Sequence, residues 1–320
     1  MRDDARPRTI AEMPAQHPAE PASPAQARGR FFNTGNAFNV QLPPVPDHLF
    51  TAEPQAALAA DTPTGLIACD LSATLACPFP ATSPLVLVRY GRIRAGETLH
   101  TDFAASGVIC YVIAGAGRSA PADGGETIAW RTGDLFILPG GIACDHTATD
   151  ADAVLWIVTN EPQLAFEHLR PPAPGAAPTE SVHFTADEIA RQIAHIHDIG
   201  RTEQIPGSAL IFSSAGQEAT RNLMPTLTVA MNTLQGGTVQ RPHRHNAVAI
   251  SLIIKGDRCF SIMDGKRKDW VPWATSITPP VSVHSHHNGG NDQAMFLIIQ
   301  DGGIFYHARA MGFEFAEQPQ

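Results

Sequence analysis

The sequence predicts an all-β protein of two tandem barrels joined by a short linker helix. Three observations predict it. Short apolar, β-branched runs bounded by turn residues recur at strand length. The series occurs twice along the 320 residues. Between the two series lie a Pro/Ala-rich stretch and one capped helix, the order expected of an internal duplication.

Residues 1–30 are rich in Pro, Ala, Arg and Glu, too poor in apolar surface to offset their ordering entropy, and predict a mobile tail. Phe31–Phe50 adds aromatic residues among prolines, as an arm laid across another surface would. The first series then reads PLVLVRYGRI, GVICYVIAG, ETIAW, DLFILPGG and AVLWIVTN. RPPAPGAAPTE marks a boundary. Thr185 and Glu188 form a capping box for a helix running to about Asp198, before Gly200. The second series reads ALIFSS, TLTVAMNTL, AVAISLIIKG, CFSIMDG, TSITPP and AMFLIIQDGG. The expected divisions are a flexible tail and arm over 1–50, a first barrel over 51–160, linker and helix over 161–205, and a second barrel over 206–320.

The chemistry concentrates in 237–288. Gly237 is followed six residues later by His243-Arg-His245, and Gly256 closes the segment. Residues two apart on a strand share a face, so His243 and His245 project together into a barrel. Pro279, His284 and Asn288 follow at a fixed spacing. A lone H-x-H is most often a pair of satisfied core histidines; the accompanying Gly256, His284 and Asn288 in register favour a metal site. Three imidazoles from neighbouring strands suit a divalent metal with open positions.

These two segments resemble the two motifs of the cupin superfamily, G-x5-H-x-H-x3-E-x6-G and G-x5-P-x-G-x2-H-x3-N, with Val281 in place of the second glycine of the latter. The resemblance implies double-stranded β-helix (jelly-roll) barrels, a two-barrel "bicupin", and His243, His245 and His284 as metal ligands. Ala249 stands where the motif has its Glu ligand. In this the chain resembles the gentisate 1,2-dioxygenase-like ring-cleaving enzymes. That likeness implies one Fe(II) per chain in the second barrel, dioxygen, and an ortho-hydroxylated aromatic acid such as gentisate or salicylate. The site also admits other divalent metals and other readings: a three-His dioxygenase of a thiol acid or β-diketone, a metal-dependent lyase or isomerase, or a non-catalytic small-molecule-binding bicupin. Tyr306 would assist in the thiol case.

The first barrel shows the motif skeleton emptied of ligands. Gly96 leads to Asp102, Ala104 and Val108 at the H-x-H and Glu positions, Gly115 closes, and Gly133, Pro139 and Gly141 precede Cys144 at the second ligand position. The expectation is a structural or regulatory barrel, with an Asp102/Cys144/His146 site as the residual alternative. His286, two residues from His284, points inward as a proton donor or alternative ligand, whereas His287 faces away. Arg241 and Arg258 are the candidates to hold a substrate carboxylate; Arg244, between the two ligands, turns outward. Trp270 and Trp273 are candidate pocket walls. His195 and His197 diverge by about 200° on a helix and are expected at a surface or domain boundary.

The formal charge of −9 excludes a phosphate-tracking surface, so no nucleic acid is expected. The three lysines, Lys255, Lys266 and Lys268, mark a solvated hairpin. Five cysteines without a C-x-x-C pair predict a reducing, cytoplasmic setting. No run approaches the ~20 apolar residues of a membrane span, and residues 1–30 hold no apolar signal segment. The aromatic arm suggests a homo-oligomer.

Overall fold

The computed structural model describes residues 7–38, 40–199 and 207–316; the remaining positions of the expected tail, linker and C-terminus lie outside the described residues. The chain divides into two units, Met1–Pro43 and Pro44–Gln320. In the first, Gln16 and Phe31 exchange backbone hydrogen bonds of 2.9 and 3.0 Å, closing a loop that contains the short helix Pro24–Ala27, capped by Ser23.

In the second unit the first barrel is formed by two sheets. A six-stranded sheet runs Val182–Phe184, Leu135–Pro139, Gly107–Ala114, Ala153–Thr159, Leu87–Ile93, Gly65–Ala68, and a four-stranded sheet runs Thr98–Thr101, Cys144–Ala148, Ala116–Pro121, Ile128–Arg131. Val182–Phe184 lies in the stretch expected to be linker and pairs with Leu135–Ile137. The linker helix spans Ala186–Ile199. Thr185 Oγ accepts from the Glu188 amide at 3.3 Å, but the return half of the capping box is absent. The first helical amide donates instead to Asp134, and Glu188 pairs with Arg191.

The second barrel repeats the plan. Its six-stranded sheet runs Leu49–Phe50, Thr275–Thr278, Ala249–Lys255, Ala294–Gln300, Thr228–Leu234, Ser208–Phe212, and its five-stranded sheet runs Lys266–Asp269, Cys259–Met263, His284–Asn288, His243–His245, Phe313–Phe315. Leu49–Phe50, expected in the N-terminal arm, is thus an edge strand of the second barrel, held by the Ile277 amide on His48 O and by Lys268 on Asp47. The strand of AMFLIIQDGG stops at Gln300, and Gly302–His307 turns into a helix.

Side-chain alternation explains how the barrels join. Every residue of Ala153–Thr159 is buried, the signature of a strand covered on both faces. Val154, Trp156 and Val158 belong to a cluster shared with Met231, Ile250, Ile277 and Leu297 of the second barrel. Leu155 and Ile157 face the first barrel's own interior. The two six-stranded sheets therefore pack through their outer faces. Each large side chain fully buried there contributes about 1.5–3 kcal/mol. Tyr90 Oη and Trp156 Nε1 both reach Thr275 Oγ1, at 2.7 and 2.9 Å, which spares two buried polar groups an unpaired burial.

Candidate metal centre

His243 and His245 lie on one strand and His284 on its antiparallel neighbour, with His243 directly opposite His284. All three are buried. Each Nδ1 lies on a backbone carbonyl: His243 on Arg241 O at 2.8 Å, His245 on Ala247 O at 2.8 Å, His284 on Ser282 O at 2.9 Å. A carbonyl only accepts, so each Nδ1 carries the hydrogen and each Nε2 presents a lone pair. One ligand atom from each ring lies within 4.8 Å of the others, a donor set that fits a single divalent cation. Burial lowers all three pKa values, His245 to about 4 and His284 to about 3, with neighbouring imidazoles adding to the effect at these last two. The rings are neutral and ready to ligate.

Ala249 faces the same interior. It pairs with Gln300 on one side and Thr278 on the other, and directly opposed residues share a face. The next rows inward are Ala230, Ile298, Ser251 and Ser276, then Asn232, Phe296 and Ile253. None of these is charged. Gln300 Nε2 lies 3.1 Å from His245 Nε2 and donates to its lone pair. Gln300 is thus a site residue that the motifs do not reveal; only its cross-strand register to Ala249 marks it. Phe313 is another, its ring 5.3 Å from that of His243 on a three-residue strand too short to read.

His286 points inward but stands outside the three-His group. Its Nδ1 meets Ser261 Oγ at 2.7 Å, and Trp270 Nε1 donates to the same oxygen at 2.9 Å. The first barrel repeats this set: His146 Nδ1 to Ser119 Oγ at 2.7 Å, Trp130 Nε1 to Ser119 Oγ at 2.9 Å. There the proton order is determined. Thr101 Oγ1 donates to Cys144 O, so it accepts from His146 Nε2 at 3.0 Å, and His146 Nδ1 must accept from Ser119. In the second barrel His243 stands at the position of Thr101, so the Trp270–Ser261–His286 set repeats without the threonine contact. Burial, then the neighbouring imidazoles, holds the His286 pKa well below the ordinary value. His287 stacks on Phe260 on the opposite face.

The duplication also corrects the reading of the first barrel. Cys144 is opposite Thr101 as His284 is opposite His243. Thr101 and Phe103 are buried, whereas Asp102 and Ala104 are exposed. The motif spacing is one residue out of phase, and a one-residue slip moves every side chain to the other face. No Asp102/Cys144/His146 site forms. Thr101, Phe103, Val108, Leu138 and Cys144 line a cavity of about 50 Å³ where the second barrel has its histidines.

The arginines expected near the metal have other partners. The Arg241 guanidinium lies 4.0 Å from the Phe315 ring centroid. Arg258 pairs with Asp257 at 3.3 Å, beyond the Cys259–Asn288 pair, four residues along the strand from the level of His284 and so roughly 13 Å away. Arg244 turns outward onto Glu314. Asn288 staples the turn, donating to Leu234 O and Asp292 O. Trp270 packs edge-on against Phe296 beside His286, while Trp273 joins the face between the barrels. His195 is exposed, and His197 ties the linker helix to Thr233 of the second barrel at 2.9 Å. Tyr306 and His307 line a cavity of about 670 Å³ whose wall includes Gln300, Thr228 and Ala230. Among the described residues no helix is long and apolar enough to cross a membrane.

No family model matches the chain. A segment of 90 residues is 30% identical to 1-hydroxy-2-naphthoate 1,2-dioxygenase of Nocardioides sp. strain KP7, and one of 83 residues is 31% identical to 5-aminosalicylate 1,2-dioxygenase of Comamonas sp.. The segments cover 28% and 26% of this chain and only 23% and 22% of those proteins. Across the whole fold, salicylate 1,2-dioxygenase from Pseudaminobacter salicylatoxidans superposes with a TM-score of 0.72 at 14% identity, over 89% of this chain and 92% of that one. An oxalate decarboxylase superposes with a TM-score of 0.51 at 15% identity, over 74% of this chain and 73% of that one. Fold and site together define a protein of two tandem barrels, arranged as in salicylate 1,2-dioxygenase, with a three-histidine group in its second barrel. Likeness at this level of identity establishes the architecture, which hosts more than one chemistry.

Proposed function

We propose that the protein is a non-haem Fe(II) dioxygenase that opens the ring of an ortho-hydroxylated aromatic acid of the gentisate or salicylate kind. The observation that carries this reading is the donor set: three neutral imidazoles converge without a carboxylate, because Ala249 occupies the fourth position. A neutral set leaves the cation's charge uncompensated for a substrate carboxylate and phenolate to meet. The sequence matches to two aromatic-acid dioxygenases support it.

In this reading His243, His245 and His284 hold the iron through Nε2, with each ring fixed by its Nδ1–H on a carbonyl. Bound iron would supply electron transfer between ring and dioxygen. His286, held by Ser261 at Nδ1, is the proton donor to the substrate's oxygens in this reading. Phe296 and Ile298 present apolar surface to the ring. The test is oxygen uptake by Fe(II)-loaded protein with hydroxybenzoates, hydroxynaphthoates, thiol acids and β-diketones, with His245→Ala as control. Uptake confined to ortho-hydroxylated acids is expected. Uptake with thiols or diketones instead, or none with any acid, refutes the reading.

A further inference from the structure

The cavity of about 670 Å³ beside the metal centre is bounded inward by Gln300, whose amide touches His245 Nε2, and by Thr228 and Ala230 of the same inner face. Its size lies well inside the roughly 300–1,000 Å³ range of pockets that take ligands larger than one substituted ring. Toward solvent the lining changes character: Arg221 and Arg309 stand there with Tyr306 and His307. Both arginines are exposed, and among the described residues neither guanidinium has a carboxylate partner. Seven other described arginines pair with a carboxylate, Arg89 with Glu161, Arg92 with Asp152 and Arg244 with Glu314 among them. In a chain of net charge −9, two guanidiniums without carboxylate partners on one rim, Arg309 donating only to the His307 carbonyl, give this mouth a local positive charge.

Two further features mark this wall. Arg221 and Arg309 both adopt left-handed backbone, φ 56° and 57°, a conformation that costs a non-glycine residue about 1–2 kcal/mol and fixes where the chain turns. Asn222, 3% exposed, belongs to the same wall, its amide donating to Pro225 O.

Building on the proposed activity, we propose that this cavity is the substrate channel and that Arg221 and Arg309 select a second anionic group, remote from the carboxylate–hydroxyl pair that meets the metal. The substrate class is then an ortho-hydroxylated aromatic acid with a distal carboxylate. The arginines anticipated from sequence for substrate recognition, Arg241 and Arg258, lie on Phe315 and Asp257, outside this cavity's lining.

The test is equilibrium binding, by calorimetry, to Fe(II)-loaded protein kept free of oxygen, so that nothing turns over. Two matched pairs are titrated: salicylate against 4-hydroxyisophthalate, and 1-hydroxy-2-naphthoate against its 6-carboxy derivative. The added carboxylate is expected to tighten binding about tenfold or more in at least one pair, in a salt-sensitive way. Arg221→Gln/Arg309→Gln should erase that gain while changing the monoacid affinity less than about twofold; each single variant should remove part of it. Equal affinity within both pairs, or a gain that survives the double variant, overturns the inference and leaves the proposed activity standing. Failure of all four acids to bind overturns the activity as well.

Discussion

Ser119 and Ser261 occupy the same place in the two barrels, and removing each hydroxyl separates framework from function. Each oxygen accepts from a tryptophan Nε1 at 2.9 Å and meets a buried histidine Nδ1 at 2.7 Å. Serine to alanine therefore leaves two groups unmatched, at about 1–3 kcal/mol each, so about 2–6 kcal/mol for the first barrel. The loss at Ser261 should be smaller, because Trp270 is half-buried where Trp130 is 3% exposed. Both losses are read from urea unfolding midpoints.

The functional consequence should not be shared. In Ser119→Ala, His146 still meets Thr101 and lies in the barrel without the three-His group, so iron content and turnover should hold. In Ser261→Ala, His286 loses the hydroxyl that holds its Nδ1. Turnover should then fall about tenfold or more at unchanged iron content, and Ser261→Thr should restore most of it. Equal loss of turnover in the two alanine variants, or loss of iron in step with activity in Ser261→Ala, would refute the reasoning.

His245→Ala removes one of three neutral donors and should abolish stoichiometric iron binding while the metal-free fold melts within a few degrees of the parent; retained iron by elemental analysis would remove His245 from the ligand set. His146 is buried, and burial drops its pKa to about 4 against 6.5 when unfolded. The unfolded chain takes up the proton first, so this stability is full above pH 6.5 and is lost as pH falls from 6.5 to about 4, by about 3 kcal/mol. His146→Gln should flatten that part of the pH slope in urea titrations, and an unchanged slope would contradict it. Val281 holds φ 59° where the first barrel has Gly141 at φ 76°. Val281→Gly should raise the unfolding free energy by about 0.5–1 kcal/mol, relief of left-handed strain outweighing the entropy of glycine; a loss would show that the valine side chain contributes packing.

The long strands were legible because burial on both faces writes unbroken apolar runs such as AVLWIVT and AISLII into the chain. The metal ligands were legible because strand alternation converts H-x-H into two side chains on one face. The short strands Thr98–Thr101, Cys144–Ala148 and Phe313–Phe315 were not, since their outward residues are polar and their partners are distant in sequence. For the same reason the Asp102 alignment failed: seven positions separate Thr101 from Val108, six separate His243 from Ala249, and only the cross-strand pairing reveals the offset. Gln300 and the paired Trp–Ser–His sets are relations across strands, which a one-dimensional spacing does not carry.

Each barrel's interior shows how the duplicated fold divided its work. The first fills its interior with a cluster of sixteen buried residues, including Phe103, Val108, Leu138 and Cys144 at the positions where the second keeps His245, Ala249, Thr278 and His284. The second barrel's own interior cluster has four buried members. A barrel lined by imidazoles, amides and hydroxyls gives up apolar burial of about 25 cal/mol per Å², and the deficit must be met elsewhere. Met231, Ile250, Leu252, Ile277 and Leu297 meet it, because they turn the opposite face of the same strands onto the first barrel's Trp156, Tyr90 and Ile137. The apolar first barrel is thus the wall against which the second barrel, with its three neutral histidines inside, is packed.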